Sequence, residues 1–375
     1  PMLKAGLLGG GQLGRMLLQA AANYHIETYV LEGDEHCPSA HLCHHFVKGD
    51  IKNYDDVYQF GKGLDAITIE IENVNVDALE ALEKEGVKVY PKPSVLRTIK
   101  NKILQKEYYQ HHRIATADFV VTQNRMELEQ QHTFLPAVHK LAEGGYDGRG
   151  VQLLHHADEL SLGFDAPSVL EKMVTIKKEV AQIVAIDADR NTALYPPVEM
   201  VVDKQLNQLD YQLCPAGITP AVLQQVEAIS LQVVKNFNSP GLFAVELLID
   251  EEDTVVVNET APRVHNSGHH TIEAHYSSQF DMLWRIMLGH PLGNTQYLYP
   301  SVMVNLVGAD GSNGPVNYEG LNNVLRLKNA FVHLYGKVQT KPGRKMGHVT
   351  LIGTDKELLA QQAHLVKSSL QVKSN

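Results

Sequence analysis

Between Val255 and His270 the chain carries an apolar, β-branched run into an acid, then sets out an arginine, an asparagine and three histidines. Val255 to Glu259 reads as a buried strand ending in a carboxylate. Such a group suits a hard cation such as Mg²⁺, which takes oxygen ligands and keeps company with phosphates. Just beyond it, Arg263, His265 and Asn266 can hold a small anion by charge and hydrogen bonds. Metal-bound phosphate beside a captured anion is the layout of a ligase that activates its substrate with ATP. A second acid strengthens this reading. Leu242 to Ile249 and Thr254 to Glu259 flank Asp250-Glu251-Glu252-Asp253, which reads as a four-residue hairpin loop. In that register Glu246 opposes Val257, and Glu259 lies diagonal to it on the same face, ~7–8 Å away at Cα. A slip of one residue would send the two carboxylates to opposite faces. Two acids in a Val/Leu/Phe-rich hairpin are costly without a cation to share.

Other segments could serve the same chemistry. Gly144-Gly145-Tyr146-Asp147-Gly148-Arg149-Gly150 is a loop whose amides can fold over phosphates. Asp-Gly is also a hairpin-turn signal, but glycines on both sides favour a closing lid. The strand Leu135–Lys140 ends in a lysine able to reach a phosphate. Near the start, a short strand enters Gly9-Gly10-Gly11-Gln12-Leu13-Gly14 and a helix, and a second strand ends at Glu32. That pattern predicts a phosphate site at the helix start, and less specifically a dinucleotide site. Glu72 sits at the carboxyl end of a further strand, Ala66–Ile69, where it faces the same crevice. Lys337, Arg344 and Lys345 gather around one late hairpin as a phosphate clamp. The lysines Lys100, Lys102 and Lys106 lie along one long polar helix, Val95 to His111, where a solvated face is the ordinary reading. Cys37, His41, Cys43, His44 and His45 fit no common zinc spacing and read as a histidine-rich surface segment.

The elements that position these residues alternate strand and helix through the first hundred residues. Val76–Lys84 is predicted helical, Val87–Tyr90 a strand, Ala330–Leu334 a strand. At 375 residues the chain suits two or three domains, on roughly 150 residues each. The apolar share of 44% and charged share of 20% are those of a soluble globular protein. A net charge of −10 argues against a nucleic-acid binder. No apolar run is long enough to cross a bilayer, and no leader pattern opens the sequence. With three cysteines, a disulfide framework is not expected and a reducing cytoplasm fits.

Together the motifs resemble one family. Gly9-Gly10-Gly11-Gln12-Leu13-Gly14-Arg15-Met16, the loop Gly144–Gly150, the run Asn258–His269 and His333-Leu334-Tyr335-Gly336-Lys337 occur in this order in N5-carboxyaminoimidazole ribonucleotide synthetases. The resemblance implies an α/β and α+β chain in three parts: a Rossmann-like preATP-grasp domain (1–97), a two-lobed ATP-grasp domain (98–290) and a small β-rich C-terminal domain (291–375). It implies a cytoplasmic homodimer of de novo purine biosynthesis that uses ATP and bicarbonate to carboxylate 5-aminoimidazole ribonucleotide. By resemblance, ATP is held by Lys102, Lys140, Gly145, Tyr146, Asp147, Gly148, Arg149, Gly150, Val151, Glu171, Lys172, Met173, Val174, Glu179, Asn258 and Glu259. Glu246 and Glu259 hold Mg²⁺. Arg263, His265 and Asn266 hold bicarbonate and its phosphorylated form, with Tyr146, Asp147 and Arg149 closing over the reaction. Gln12, Leu13, Glu72, Tyr146, Asp147, Arg149, Lys337, Arg344 and Lys345 hold the ribonucleotide. Leu141-Ala142-Glu143 and Val202 depart from the family's usual residues. Three rivals fit parts of the pattern: a formate-using glycinamide ribonucleotide transformylase of the same superfamily, an NAD-dependent oxidoreductase built on Gly9–Gly14, and a catalytically dead, nucleotide-sensing paralogue suggested by the loop departures.

Overall fold

The computed structural model describes residues 1–145, 149–203 and 208–375. The first hundred residues build a five-stranded parallel sheet: β1 (Leu3–Leu8), β2 (Ile26–Glu32), β3 (His45–Lys48), β4 (Ala66–Ile69) and β5 (Lys88–Tyr90), in the order β3-β2-β1-β4-β5. β4 is buried along its length and β1 from Ala5 onward, as expected when helices cover both faces. The predicted helix Val76–Lys84 forms with those bounds, its start capped by Asn75, whose side chain accepts from the Ala78 amide at 2.9 Å.

Where one long helix is expected from Val95 to His111, two form, Pro93–Lys100 and Lys102–His111. Asn101 causes the break. Its backbone is extended (φ −109°, ψ 117°), and its side chain accepts from the amides of Ile103 and Leu104. The second helix is thereby re-aimed so that Gln105, Lys106 and Tyr109 are buried rather than solvated.

Next comes a four-stranded antiparallel sheet, β6 (Phe119–Thr122), β7 (Ala137–Leu141), β8 (Val151–Leu154) and β9 (Ser168–Lys172), in the order β6-β9-β7-β8. Met173 and Val174 lead directly from β9 into the largest sheet. That sheet contains β10 (Ile176–Ile186), β11 (Thr192–Leu194), β12 (Val198–Asp203), β13 (Gln208–Cys214), β14 (Gly241–Asp250) and β15 (Val255–Ala261). It does not end there. β13 pairs with β16 (Ser301–Val307), and the ladder continues through β20 (Lys345–Ile352) to β18 (Ala330–Leu334). The remaining strands, β17 (Gly314–Glu319), β19 (Gln339–Thr340) and β21 (Gln371–Ser374), make a small separate sheet. The C-terminal strands are thus hydrogen-bonded onto the same sheet that carries the acid pair.

A shared core joins the first domain to the large sheet. Leu7, Leu17 and Val30 cluster with Phe280, Leu283 and Trp284 of the helix Gln279–Leu288. Trp284 is fully buried, and its indole Nε1 donates to the Leu17 carbonyl at 2.7 Å, which satisfies the one polar atom it brings inside. Among the described residues, no helix is long and apolar enough to cross a membrane.

Candidate active site

The acid pair is real, but its register is not the predicted one. Ile249 pairs with Val255 rather than Thr254, so the turn spans five residues, Asp250–Thr254, with Asp253 in the left-handed region (φ 61°). That one-residue slip would separate the carboxylates, except that a β-bulge follows. The ladder shifts between Leu247↔Val257 and Glu246↔Glu259, leaving Asn258 as the extra residue. Slip and bulge together restore the parity, and Glu246 stands directly opposite Glu259 instead of diagonal to it. Glu179 joins the same face, since it pairs with Leu248 while Ala181 pairs with Glu246. Three carboxyls therefore line one face of the large sheet.

Their electrostatics follow from crowding. The neighbouring Glu246 charge, aided by burial, raises the Glu259 carboxyl to about 7. Burial likewise raises Glu246 and Glu179. Like charges in a poorly solvated site disfavour ionisation unless a cation intervenes. Lys140 supplies part of that charge. Its Nζ lies 2.8 Å from the Glu171 carboxylate and donates to Asn258 Oδ1 at 3.1 Å, crossing from the small sheet to the large one. Burial alone would lower its pKa, but Glu171 and Glu259 outweigh that and raise it. The bulge residue Asn258 is thus also a point of contact between the two lobes.

Lys106 joins this network, against the solvated-face reading. It is buried, 3.7 Å from Glu171, and donates to the Ala117 carbonyl at 3.1 Å. Burial pulls its pKa down to about 8. Only the Asn101 break turns it inward. Behind Glu259, the Thr260 amide donates to Gln105 Oε1 at 2.9 Å, and Tyr109 bonds both Gln105 and Thr260 at 2.7 Å. This buried trio locks the strand that carries Glu259.

Arg263, His265 and Asn266 are positioned between the first domain and the large sheet. Arg263 forms an ion pair with Glu72 at 2.9 Å, its Nε too poorly aligned for a true hydrogen bond, while its terminal nitrogen donates to the Val264 carbonyl. His265 Nε2 lies 3.4 Å from Glu246. Burial, with Arg263 and Lys345 nearby, drives the His265 pKa down to about 3. The imidazole is neutral at physiological pH, so charge for an anion comes from Arg263 and Lys345 and His265 supplies only hydrogen bonding. Asn266 is largely committed elsewhere: its oxygen accepts from Gln212 and Asn305, and its amide donates back to Asn305. It braces the segment against β13 and β16 more than it reaches into the cleft.

The glycine loop at the first helix is corrected outright. The site expected to take a phosphate is filled by a side chain of the same protein. Glu70 accepts from the Gly14 amide at 3.1 Å and also receives the Gly11 amide. A Cβ on Gly11 would meet Glu70 Oε2 at 2.7 Å, and one on Gly10 would meet Cys37 Sγ at 2.6 Å. Gly9 and Gly11 make room for a half-buried carboxyl at the helix N-terminus, the usual place for an anion, so the oxidoreductase reading loses its pyrophosphate site. Gly11→Ala is expected to lower the melting temperature, at a cost of about 1–3 kcal/mol from overpacking; differential scanning calorimetry measures it. Nothing in the local sequence ties Glu70 to this turn, since Gly14 lies 56 positions away.

Gly145, Gly150 and Val151 belong to the β7–β8 connection, where the Leu141 amide donates to the Gly150 carbonyl at 2.9 Å. The described residues on either side of the segment therefore close a hairpin between β7 and β8. Arg149 lies in this turn, and Tyr146, Asp147 and Gly148 lie outside the described residues. The departure at Ala142 is accommodated: its carbonyl accepts from the Lys102 amide at 2.9 Å and its amide bonds Pro167. Val202 is exposed beside the β12–β13 bulge. Lys172 turns outward to the Phe134 carbonyl. Lys337 donates to the Lys345 carbonyl at 2.7 Å, so these two are brought together, while Arg344 donates to the Gln339 carbonyl within the turn. Gln12 and Leu13 open the first helix close by. Arg15, which the residue reading passed over, lies 3.2 Å from where a Cβ on Gly336 would stand, linking this helix to Tyr335-Gly336-Lys337.

A parallel α/β domain, a small antiparallel lobe and a large sheet bearing paired acids, bridged by one buried lysine, define an ATP-grasp enzyme. Residues 2–100 match the ribonucleotide synthetase preATP-grasp domain, 107–280 the ATP-grasp domain, and 301–362 the phosphoribosylaminoimidazole carboxylase C-terminal domain. The N5-carboxyaminoimidazole ribonucleotide synthase of Synechococcus elongatus is 32% identical, over 99% of this chain and 95% of that protein. The N5-carboxyaminoimidazole ribonucleotide synthetase of Thermotoga maritima superposes with a TM-score of 0.93 at 32% identity, covering 100% of both chains. The Aspergillus clavatus synthase in complex with ADP and 5-aminoimidazole ribonucleotide gives 0.88 at 32% identity, covering 98% of each. A chloroplastic phosphoribosylaminoimidazole carboxylase of Vigna aconitifolia is 35% identical over 93% of this chain, which spans 64% of that relative's length. The chain belongs to the N5-carboxyaminoimidazole ribonucleotide synthase family.

Proposed function

We propose that the chain carboxylates 5-aminoimidazole ribonucleotide with bicarbonate at the expense of ATP, releasing N5-carboxyaminoimidazole ribonucleotide, ADP and phosphate. The observation that carries this reading is the pair Glu246 and Glu259, the first raised by burial and the second chiefly by its neighbour's charge, set beside neutral His265 and cationic Arg263. A nucleotide-bound Mg²⁺ fits that pair, because a dication would let both carboxyls ionise; it would neutralise charge on the transferring phosphoryl. Lys140, Glu179 and Asn258 orient the nucleotide. A bicarbonate oxygen attacks the γ-phosphorus and ADP leaves, forming carboxyphosphate. Arg263 steadies the carbonate end while Glu72 fixes the guanidinium. The ribonucleotide amine then attacks the carbonyl carbon, phosphate departs, and the amine proton passes to a nearby base. Lys337 and Lys345, with Arg344 and the start of the first helix, receive the ribonucleotide. Excluding water matters because carboxyphosphate hydrolyses readily. The same reading carries a cytoplasmic homodimer.

A coupled ATPase assay with substrates omitted one at a time tests this. ADP release is expected only when ATP, bicarbonate and 5-aminoimidazole ribonucleotide are all present. Turnover that needs formate in place of bicarbonate would overturn the reading in favour of a transformylase.

A further inference from the structure

Away from the acid pair, Cys214, His270 and His275 form the one cluster of metal-competent side chains among the described residues whose ligand atoms all lie within 4.8 Å of one another. All three are buried, and they come from separate places. Cys214 ends β13, while His270 and His275 flank the short helix Thr271–Ala274 that follows the anion-holding segment.

Their hydrogen bonding is that of ligands in waiting. His275 Nδ1 lies 2.8 Å from the Thr295 carbonyl, so it carries the proton and leaves Nε2 with a lone pair, 3.9 Å from Cys214 Sγ. A backbone carbonyl orienting the far nitrogen in this way is the usual outer support of a metal-bound imidazole. His270 has no hydrogen-bond partner on either ring nitrogen, although it is only 2% exposed. Its ring packs edge-on against His275, with centroids 5.0 Å apart. Ser301 faces Cys214 across the β13–β16 ladder, and its buried Oγ is also unpartnered. Two unsatisfied imidazole nitrogens and a hydroxyl in one interior pocket are costly unless something binds them.

We propose that Cys214, His270 and His275 bind a Zn²⁺-class cation at the junction of the large sheet and the C-terminal strands, distinct from the Mg²⁺–nucleotide site. One thiolate and two imidazoles are the donor set such borderline-soft ions prefer over Mg²⁺ or Ca²⁺. With bonds of ~2.0–2.3 Å, tetrahedral ligand atoms sit ~3.3–3.8 Å apart, so side-chain rotation closes the present spacing. Three protein ligands leave a fourth position for water, with Ser301 Oγ on the same sheet face to receive its hydrogen bond. Binding releases the Cys214 proton and ties β13 to the segment that carries Arg263 and His265.

The test is a Co²⁺ titration of the full chain, followed by optical spectroscopy, then displacement by Zn²⁺. One equivalent of Co²⁺ is expected to give a thiolate-to-cobalt charge-transfer band that Zn²⁺ abolishes. The double variant Cys37→Ser/Cys43→Ser, in which Cys214 is the sole thiol, keeps the band. Cys214→Ser loses it, and His270→Phe weakens Co²⁺ binding by ~100-fold or more, beyond the 10–100-fold of an outer-shell loss. Absence of the band in the double variant overturns the proposal, even should Cys214→Ser fail to fold. An unchanged Co²⁺ affinity in His270→Phe overturns it as well, and points to the surface histidines instead.

Discussion

Glu259→Gln is expected to cut turnover by roughly 10²–10³-fold, the cost of losing one preorganised electrostatic contact to the transferring group, while making the ligand-free protein more stable at pH 8. The two effects share one cause. Glu259 is held near 7 because Glu246 faces it across the bulged ladder in a buried site. A carboxyl raised in the folded chain binds its proton more tightly there than in the unfolded chain. Its favourable contribution is therefore complete below the unfolded value of about 4.3 and is lost as pH rises toward 7. Above that, the folded wild type carries repelling charges that glutamine lacks, a difference on the order of 2 kcal/mol. Thermal melts at pH 4.5 and pH 8 check the sign: the variant gains at pH 8 and little at pH 4.5. Adding Mg²⁺ with ATP should raise the wild-type melting temperature far more than the variant's. A variant that is neither inactive nor stabilised would mean the two acids do not share one charge site.

Lys140→Met is expected to be the most damaging single change to the fold of the cleft. Its Nζ is the one cation within 3 Å of Glu171 among the ion pairs of the described residues, and it also bonds Asn258 on the facing lobe. Removing it leaves a buried carboxylate facing only Lys106 at 3.7 Å. Breaking a buried pair in this way costs about 3–5 kcal/mol. Nucleotide affinity, read by isothermal titration calorimetry, should fall with it. A double variant separates the two effects. Lys140→Met/Glu171→Gln should recover most of the stability in calorimetry, because the orphaned charge is gone, yet should not recover nucleotide affinity. Recovery of both would show that Lys140 is structural only.

Much of the chain was readable from local pattern. The helix Val76–Lys84 and the strand Ala330–Leu334 form with the bounds expected, since each is periodic and closed by turn residues. The strands bearing Glu246 and Glu259, and the arginine and histidine beyond them, were legible for the same reason. The misreadings share a different origin. The long helix divides because Asn101 turns its side chain back onto the backbone, a choice that periodicity does not register. Lys106 reads as solvated until that break turns it inward. The glycine run at the first helix serves a carboxylate 56 residues further along, rather than a phosphate.

Residue types alone determined the chemistry: which acids, which cations, and the alternation that makes a parallel sheet, because those follow from nearest neighbours along the chain. Only the folded molecule decided who faces whom. A one-residue slip and a one-residue bulge cancel to bring Glu246 onto Glu259, and burial, which depends on every packed neighbour at once, turns His265 neutral and leaves His270 without a partner. Parity across a ladder and the loss of water around a charge are properties of contacts between distant segments, and no stretch of sequence contains them.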